Sequence, residues 1–222
     1  MAFTGFPQSG LSFLTTLGTK NREWFQANKA QYDAEVAQPA KDFVEEMTAC
    51  LHDEISPLII GQPKTNGSIS PINNDLRFNP DASPYKDHVM MKWWEGDDKK
   101  TAPTLWIRLS QDWVGFASGM PLGDLDRWRS AVGGDAGADL QSAIDRLAKT
   151  HDLDVAGQAL KKVPKPWPDD HPRADLLRHK MFQVRAPIAT PKSVTSARFA
   201  DWCTQRLLEY ADVHRWLVEH MT

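Results

Sequence analysis

The sequence predicts an α+β fold: a mostly antiparallel sheet flanked by helices, with helical segments towards the N- and C-terminal ends. Three observations carry that reading. Apolar residues recur at helical spacing up to residue 55 and again after residue 121. Between them, residues 104–110 and 113–120 alternate with a period of two and are joined by the turn Gln111-Asp112. The order helices, strands, helices then favours a mostly antiparallel sheet over alternating βαβ units.

Taken in order, Leu11, Phe13, Leu14 and Leu17 lie at helical spacing, with Ser9 placed to cap the helix and Gly18 to end it. Asn21 can cap the next helix, which presents Trp24, Phe25 and Tyr32. Pro39 interrupts the pattern as a proline does at a helix start. From there Phe43, Met47, Leu51 and Ile55 recur every four residues, while Lys41, Asp42, Glu45, Glu46 and Asp53 form a solvated face. Residues 57–67 read as a loop from their Pro, Gly and Asn content. Residues 68–72 read as a strand, and Pro71 confines it to an edge.

Residues 88–94 read as a strand on which Trp93 and Trp94 face opposite sides. One is expected in the core. The other is either a platform for a ligand or partner, or lies under a helix, and the habit of large aromatics to be buried favours the helix. Residues 95–100 are a charged turn. In the hairpin, Leu105, Ile107 and Leu109 share one face while Trp106 and Arg108 share the other. On the returning strand Gly115, Ala117 and Gly119 share a face with Trp113, smooth enough for a helix, a backbone or a flat ligand to approach.

Leu122, Leu125, Trp128 and Val132 follow Pro121 as a helix that Gly133-Gly134 breaks, and Leu140, Ile144 and Leu147 mark the next. Residues 151–172 are the least regular. Within them residues 161–168 are basic and stiffened by proline, either a surface connection held by Trp167 or a source of cations for a site. A short helix over 173–179 precedes a strand over 181–185. Ser193 or Thr195 then caps a helix carrying Phe199, Trp202, Cys203, Leu207 and Tyr210, and a last helical piece carries Val213, Trp216 and Leu217. There are no repeats or linkers, so residues 1–222 are expected to form a single α+β domain.

Composition bounds the function. With 41% hydrophobic and 25% charged residues the chain is an ordinary globular one, and a net charge of −3 argues against a general nucleic-acid coat. Residues 1–160 carry 15 basic against 22 acidic residues, whereas 161–185 carry seven against three, the one local excess of positive charge. Cys50 and Cys203 are far apart and in no ligand spacing, which fits reduced, buried thiols and a cytoplasmic protein. No signal peptide is evident, and no apolar run approaches the roughly 20 residues of a membrane helix.

The familiar motifs are absent. The paired glycines at 133–134 are not a dinucleotide loop, because no buried strand leads into them, and no GxSxG, Walker or HExxH pattern occurs. Asp169-Asp170-His171 is the nearest approach to a metal cluster but lacks a third partner, so no metal and no cofactor are expected. Cys203 reads as core, and His179 and His214 as structural residues.

The most informative stretch is residues 73–86, which places acid, base, phenol and two prolines between an extended run and the tryptophan-rich strand. If residues 75–78 are extended, Asp75 and Arg77 share one face while Leu76 and Phe78 point to the core. Pro80 and Pro84 then stiffen a turn that delivers Tyr85 and Lys86 to the same place. In the functional reading, Arg77 and Lys86 hold the negative charge of a small ligand, joined by Arg108 and by Lys161 or Lys162. Asp75 orients Arg77 or acts as a general base, and Tyr85 donates a hydrogen bond. In the plainer reading Asp75 and Arg77 only pin the turn as a surface ion pair. A different class of function, a non-catalytic module binding a protein or nucleic-acid partner through an aromatic and basic surface, stays open, although the modest charge disfavours nucleic acid. The sequence leaves the oligomeric state unknown.

This stretch resembles the signature of a widespread, mainly bacterial family known as domain of unknown function 2461. That pattern reads arginine, two residues, arginine-aspartate, any residue, arginine-phenylalanine, then aspartate-lysine and proline-tyrosine-lysine. Asp75, Arg77, Phe78, Asp81, Pro84, Tyr85 and Lys86 match, whereas Pro71, Asn74 and Ala82 stand where basic residues are usual. Residues 3–6, 22–29, 157–164 and 171–180 extend the likeness over nearly the whole chain. The resemblance implies no particular activity.

Overall fold

The computed structural model describes residues 2–77 and 81–222. Strands β1 (Ile59–Ile60), β2 (Val89–Glu95), β3 (Thr104–Leu109), β4 (Trp113–Pro121), β5 (Asp154–Ala156) and β6 (Met181–Ala189) form a six-stranded antiparallel sheet in the order β1-β2-β3-β4-β6-β5. Helices α1 (Gln8–Leu17), α2 (Arg22–Ala27), α3 (Lys29–Tyr32) and α4 (Gln38–Glu54) precede it; α5 (Leu125–Gly133), α6 (Ala136–Ala148) and α7 (Ala174–Leu177) separate its later strands; α8 (Arg198–Leu208) and α9 (Ala211–Met221) follow it. The α+β class read from the sequence is therefore the fold observed.

The chain divides into two compact units, the first comprising Met1–Trp93, Trp106–Gly115 and Pro187–Gln205, the second Trp94–Leu105, Phe116–Ala186 and Arg206–Thr222. In the first, Phe3, Phe6, Phe43, Trp93 and Phe199 form an aromatic core; Phe43 and Phe199 stack with ring centroids 5.4 Å apart. Trp93 lies under α4 and donates its indole N–H to the Thr48 hydroxyl at 3.1 Å. In the second, Trp128 packs on Phe182 and edge-on to Trp216, and each indole N–H finds a carbonyl: Trp128 that of Leu176 at 2.9 Å, Trp216 that of Ala136 at 2.7 Å. Trp93 and Trp94 are both buried, so neither is a platform.

Local chemistry explains the element ends. Asn21 caps α2 as expected, its side chain accepting from the Trp24 N–H at 2.9 Å, and Asp124 caps α5 by accepting from the Arg127 N–H at 2.9 Å. Ser9, in contrast, lies inside the first turn of α1, behind the cap residue Pro7. Ser193 and Thr195 fall in a 3₁₀ turn (Lys192–Thr195) ahead of α8. Before α4 the chain makes one π-helical turn, Asp33–Ala37. Pro39 accounts for its position: with no N–H it cannot serve the Glu35 carbonyl four residues earlier, and the helix widens there. Gly10 of α1 packs directly on that carbonyl, since a Cβ at residue 10 would lie 2.3 Å from it.

Two short strands were not expected: β1 within residues 57–67, read as a loop, and β5 within residues 151–172, the least regular part of the sequence, paired antiparallel with β6 so that Asp154 faces Arg185. Residues 68–72 are not a continuous strand but reach β2 through a bridge between Ile69 and Met91. β6 runs on to Ala189, four residues beyond the expected end. Among the described residues, no helix is long and apolar enough to cross a membrane.

Candidate functional site

Residues 72–74 pair back onto residues 84–86 instead of running on as a strand. Asn73 and Tyr85 form an antiparallel bridge, the Asn74 N–H donates to the Pro84 carbonyl at 2.9 Å, and the Lys86 N–H donates to the Ile72 carbonyl at 2.9 Å. The Asn74 amide closes the loop from inside, donating to the carbonyls of Ser83 (2.9 Å) and Tyr85 (3.0 Å). A position where the family pattern is basic thus serves here as a clamp.

This fold-back decides where the four expected site residues go. Residues 76–77 are a turn, not an extended run, and Arg77 reaches back to Asp75 with two parallel bonds, Nε to Oδ1 at 2.9 Å and Nη2 to Oδ2 at 2.6 Å. The Arg77 backbone N–H donates to the same carboxylate at 3.1 Å. Arg77, first by its side chain and then by its backbone, holds the Asp75 carboxyl below the usual carboxylate range. The Arg77 side chain is 81% exposed. Tyr85 turns the other way: it is 4% exposed, packed among Phe13, Leu17, Phe25 and Ile72, its ring centroid 4.6 Å from that of Phe25. Lys86 lies between these fates, its ammonium donating to the carbonyls of Pro71 and, at 2.9 Å, Asn73. The single mouth expected from alternation is therefore not formed, because the alternation itself is replaced by a turn. Phe78, Asn79 and Pro80, to which an inward ring and a stiffened turn were assigned, lie outside the described residues.

A second grouping begins at Lys86 and was not read from the sequence. Asp87 and His88 follow it, and the Asp87 Oδ1 lies 2.6 Å from the His88 Nδ1. A nitrogen and a carboxylate oxygen that close share a proton, so Nδ1 carries the hydrogen and Nε2 is the basic nitrogen of the neutral ring. His88 is buried; Asp87 keeps much of its side chain in solvent and abuts the end of α1, where a Cβ on Gly18 would lie 2.8 Å from the Asp87 Cβ. Arg108 arrives from β3, its Nη2 3.4 Å from His88 Nδ1 and its guanidinium 5.3 Å from the centre of the Trp113 indole. Gly115 makes that packing possible: a Cβ there would meet Trp113 at 3.1 Å and Arg108 at 3.7 Å. The smooth face of β4 is thus covered at Gly115 by its own tryptophan, and at Gly119 by the backbone of Phe182.

Electrostatics couple the members of the group. Burial pushes the Lys86 ammonium below the ordinary lysine range, and the like charge of Arg108 adds to the shift. Burial also depresses His88, opposed by the hydrogen bond to Asp87 and reinforced by Arg108. Asp87 is held below the usual carboxylate range mainly by its bond to His88. The signal for this cluster was in the sequence: Lys86-Asp87-His88 directly continues the motif, and the alternation that put Arg108 away from the core placed it beside Trp113.

The other predicted residues belong to the second unit. Lys161 and Lys162 are exposed on a bend, following the main-chain bond from the Leu160 N–H to the Arg178 carbonyl at 2.7 Å. Trp167 does hold its connection, against Gly133, and His171 Nδ1 accepts from the Arg173 N–H at 3.1 Å. This unit also contains a pocket of ≈ 390 Å³, lined in part by Asp97, Asp98, Met120 and Asp124; none of the sequence-predicted site residues lines it. Among the described residues no group of three or more His, Cys, Asp or Glu could hold a metal ion.

The fold and the grouping define an α+β protein in which Arg108 and Trp113 of the antiparallel sheet meet His88 just ahead of β2. The family model described as conserved hypothetical protein (DUF2461) matches residues 9–216, nearly the whole chain. The chain belongs to that family. No curated protein matches it.

Proposed function

We propose that the protein binds a small anionic ligand between Lys86 and Arg108, beside His88 and Trp113. The observation that supports this is the exposed guanidinium of Arg108, set 3.4 Å from the His88 ring and over the Trp113 indole, in a neighbourhood where it also disfavours the charge of Lys86. A guanidinium also offers a planar fork matched to phosphate or carboxylate oxygens, and Lys86, with two of its three N–H groups spent on carbonyls, keeps one to donate. The free thiols of Cys50 and Cys203 fit a reducing, cytoplasmic setting for such a protein.

The test is a titration of the protein with inorganic phosphate, followed by calorimetry and by amide shifts of residues 86–88 and 108. A hydrogen bond to a charged group contributes roughly 1.5–3 kcal/mol. Arg108→Gln is therefore expected to weaken binding by about 10- to 100-fold. Arg77→Ala is the comparison: an equal loss there would move the ligand to the exposed turn of Asp75 and Arg77 and overturn the assignment to Lys86 and Arg108.

A further inference from the structure

We propose that the pocket of the second unit binds an aliphatic di- or polyamine. This site is separate from the one around Arg108 and opposite to it in charge. Every described residue that lines it belongs to the second unit. Its volume of ≈ 390 Å³ falls among small-molecule sites, which span roughly 300–1,000 Å³. Buried Ala102, Met120 and Met221 give it apolar wall, while exposed Asp97, Asp98 and Asp124 give it negative charge. None of its described lining residues is basic; Lys99 and Lys100 share the turn of Asp97 and Asp98 but do not line the pocket. Gly123, also on the wall, borders open space: a Cβ there would meet no atom within 4 Å, and its backbone lies outside the left-handed region.

A lone metal ion is a poor match for this wall, because among the described residues no group of three or more His, Cys, Asp or Glu could hold one. The acids are instead spread from the turn after β2 to the residue that caps α5. A flexible chain of methylenes with ammonium groups along it meets both features: its charges reach the separate carboxylates and its stem lies on the methionines. Methionine side chains are unbranched and adapt to chains of different length. The carboxylates keep capacity to accept. Asp98 spends Oδ1 on the Lys100 N–H at 3.0 Å and Asp124 spends Oδ1 on the Arg127 N–H at 2.9 Å, which leaves the second oxygen of each for an ammonium. The guanidinium of Arg127 is engaged by the main-chain oxygens of His220 and Thr222, each at 2.6 Å.

The test titrates the full chain by calorimetry with diaminopropane, diaminooctane and magnesium chloride, and follows the amide shifts of residues 96–98 and 120–124. Diaminooctane should bind one equivalent per chain and more tightly than diaminopropane, since each methylene buried on the methionines adds up to about fourfold. Asp97→Asn combined with Asp98→Asn preserves the turn, because an asparagine oxygen can accept the same Lys100 N–H, and should weaken binding by at least about 10-fold. Gly123→Phe fills the pocket and leaves its charges in place, with Gly123→Leu as a smaller second variant. Both should lose diamine binding at an unchanged thermal midpoint. Equal affinity for the two diamines, or full binding in both Gly123 variants, overturns the pocket and leaves an acidic surface that attracts any cation. Magnesium moving the same amides and excluding the diamines overturns the amine as occupant. Absence of binding by either diamine overturns the site altogether, and leaves the anion site untouched.

Discussion

Tyr85 and Lys86 are adjacent in sequence and opposite in fate, which is the main lesson at the scale of single residues. Both belong to the motif that drew attention to this stretch, yet one is in the core and the other holds the carbonyls of Pro71 and Asn73. The expectation that both reach one spot failed because the bridge of Asn73 with Tyr85 points successive side chains apart, as a strand does. The phenol is therefore a packing residue. Tyr85→Ala should cost about 3–5 kcal/mol, as buried aromatic truncations do, measured by urea unfolding monitored by circular dichroism. Arg77→Ala should leave the thermal midpoint unchanged, because its partner Asp75 lies in the same exposed turn and such pairs are screened by water. The reverse ranking of these two variants would mean that the ion pair, and not the ring, pins the loop.

At the scale of elements, what was legible followed local rules, and what was missed depended on contacts remote in sequence. The hairpin of β3 and β4 was readable from alternation, and α2 from its Asn21 cap, because both signals lie within a few residues. β1 and β5 were not, because at two and three residues they carry no periodicity of their own and exist only through pairing. The same holds for the site: Lys86 and Arg108 were legible as cations, but the contact of His88 with Arg108 needs the sheet. The π-helical turn shows both kinds of information at once. Pro39 is visible in the sequence, whereas the use made of the Glu35 carbonyl, covered by Gly10, is not. Gly10→Ala would place a methyl 2.3 Å from that oxygen and force α1 away from the turn. A loss of roughly 1–3 kcal/mol in chemical unfolding is expected, the usual cost of overpacking. Asn21→Ala should cost about 0.5–2 kcal/mol by loss of the cap alone.

For the whole molecule, stability should be confined to a window of pH by groups that burial has shifted. His88 in the first unit and His179 in the second are both depressed below the ordinary histidine value of 6.5, in each case chiefly by burial. Above 6.5 these rings are neutral whether the chain is folded or not, so they cost nothing. As pH falls below that value the unfolded chain takes up protons that the folded chain refuses, and unfolding becomes easier. The depressed Asp87 acts in the same direction further down, since its folded carboxylate resists protonation until below 3.8. On the alkaline side the sign reverses: Tyr32 is pushed up to about 12, mainly by burial, so above 10 the unfolded chain loses its phenolic proton first. Buried Tyr210 is raised as well and adds to that limb. The thiols of Cys203 and Cys50, raised above 9.0 by burial, open the alkaline limb ahead of the tyrosines, so the thermal midpoint, followed by scanning calorimetry, should be flat only between about pH 7 and 8 and fall on both sides. His88→Gln combined with His179→Gln should flatten the fall between pH 7 and 5, and Tyr32→Phe should flatten the alkaline fall above about pH 10, leaving its earlier part, which belongs to the buried thiols, in place. An acid limb unchanged in the double variant would assign it to carboxylates alone, and would mean that both rings reach water freely enough to titrate as they do in the unfolded chain.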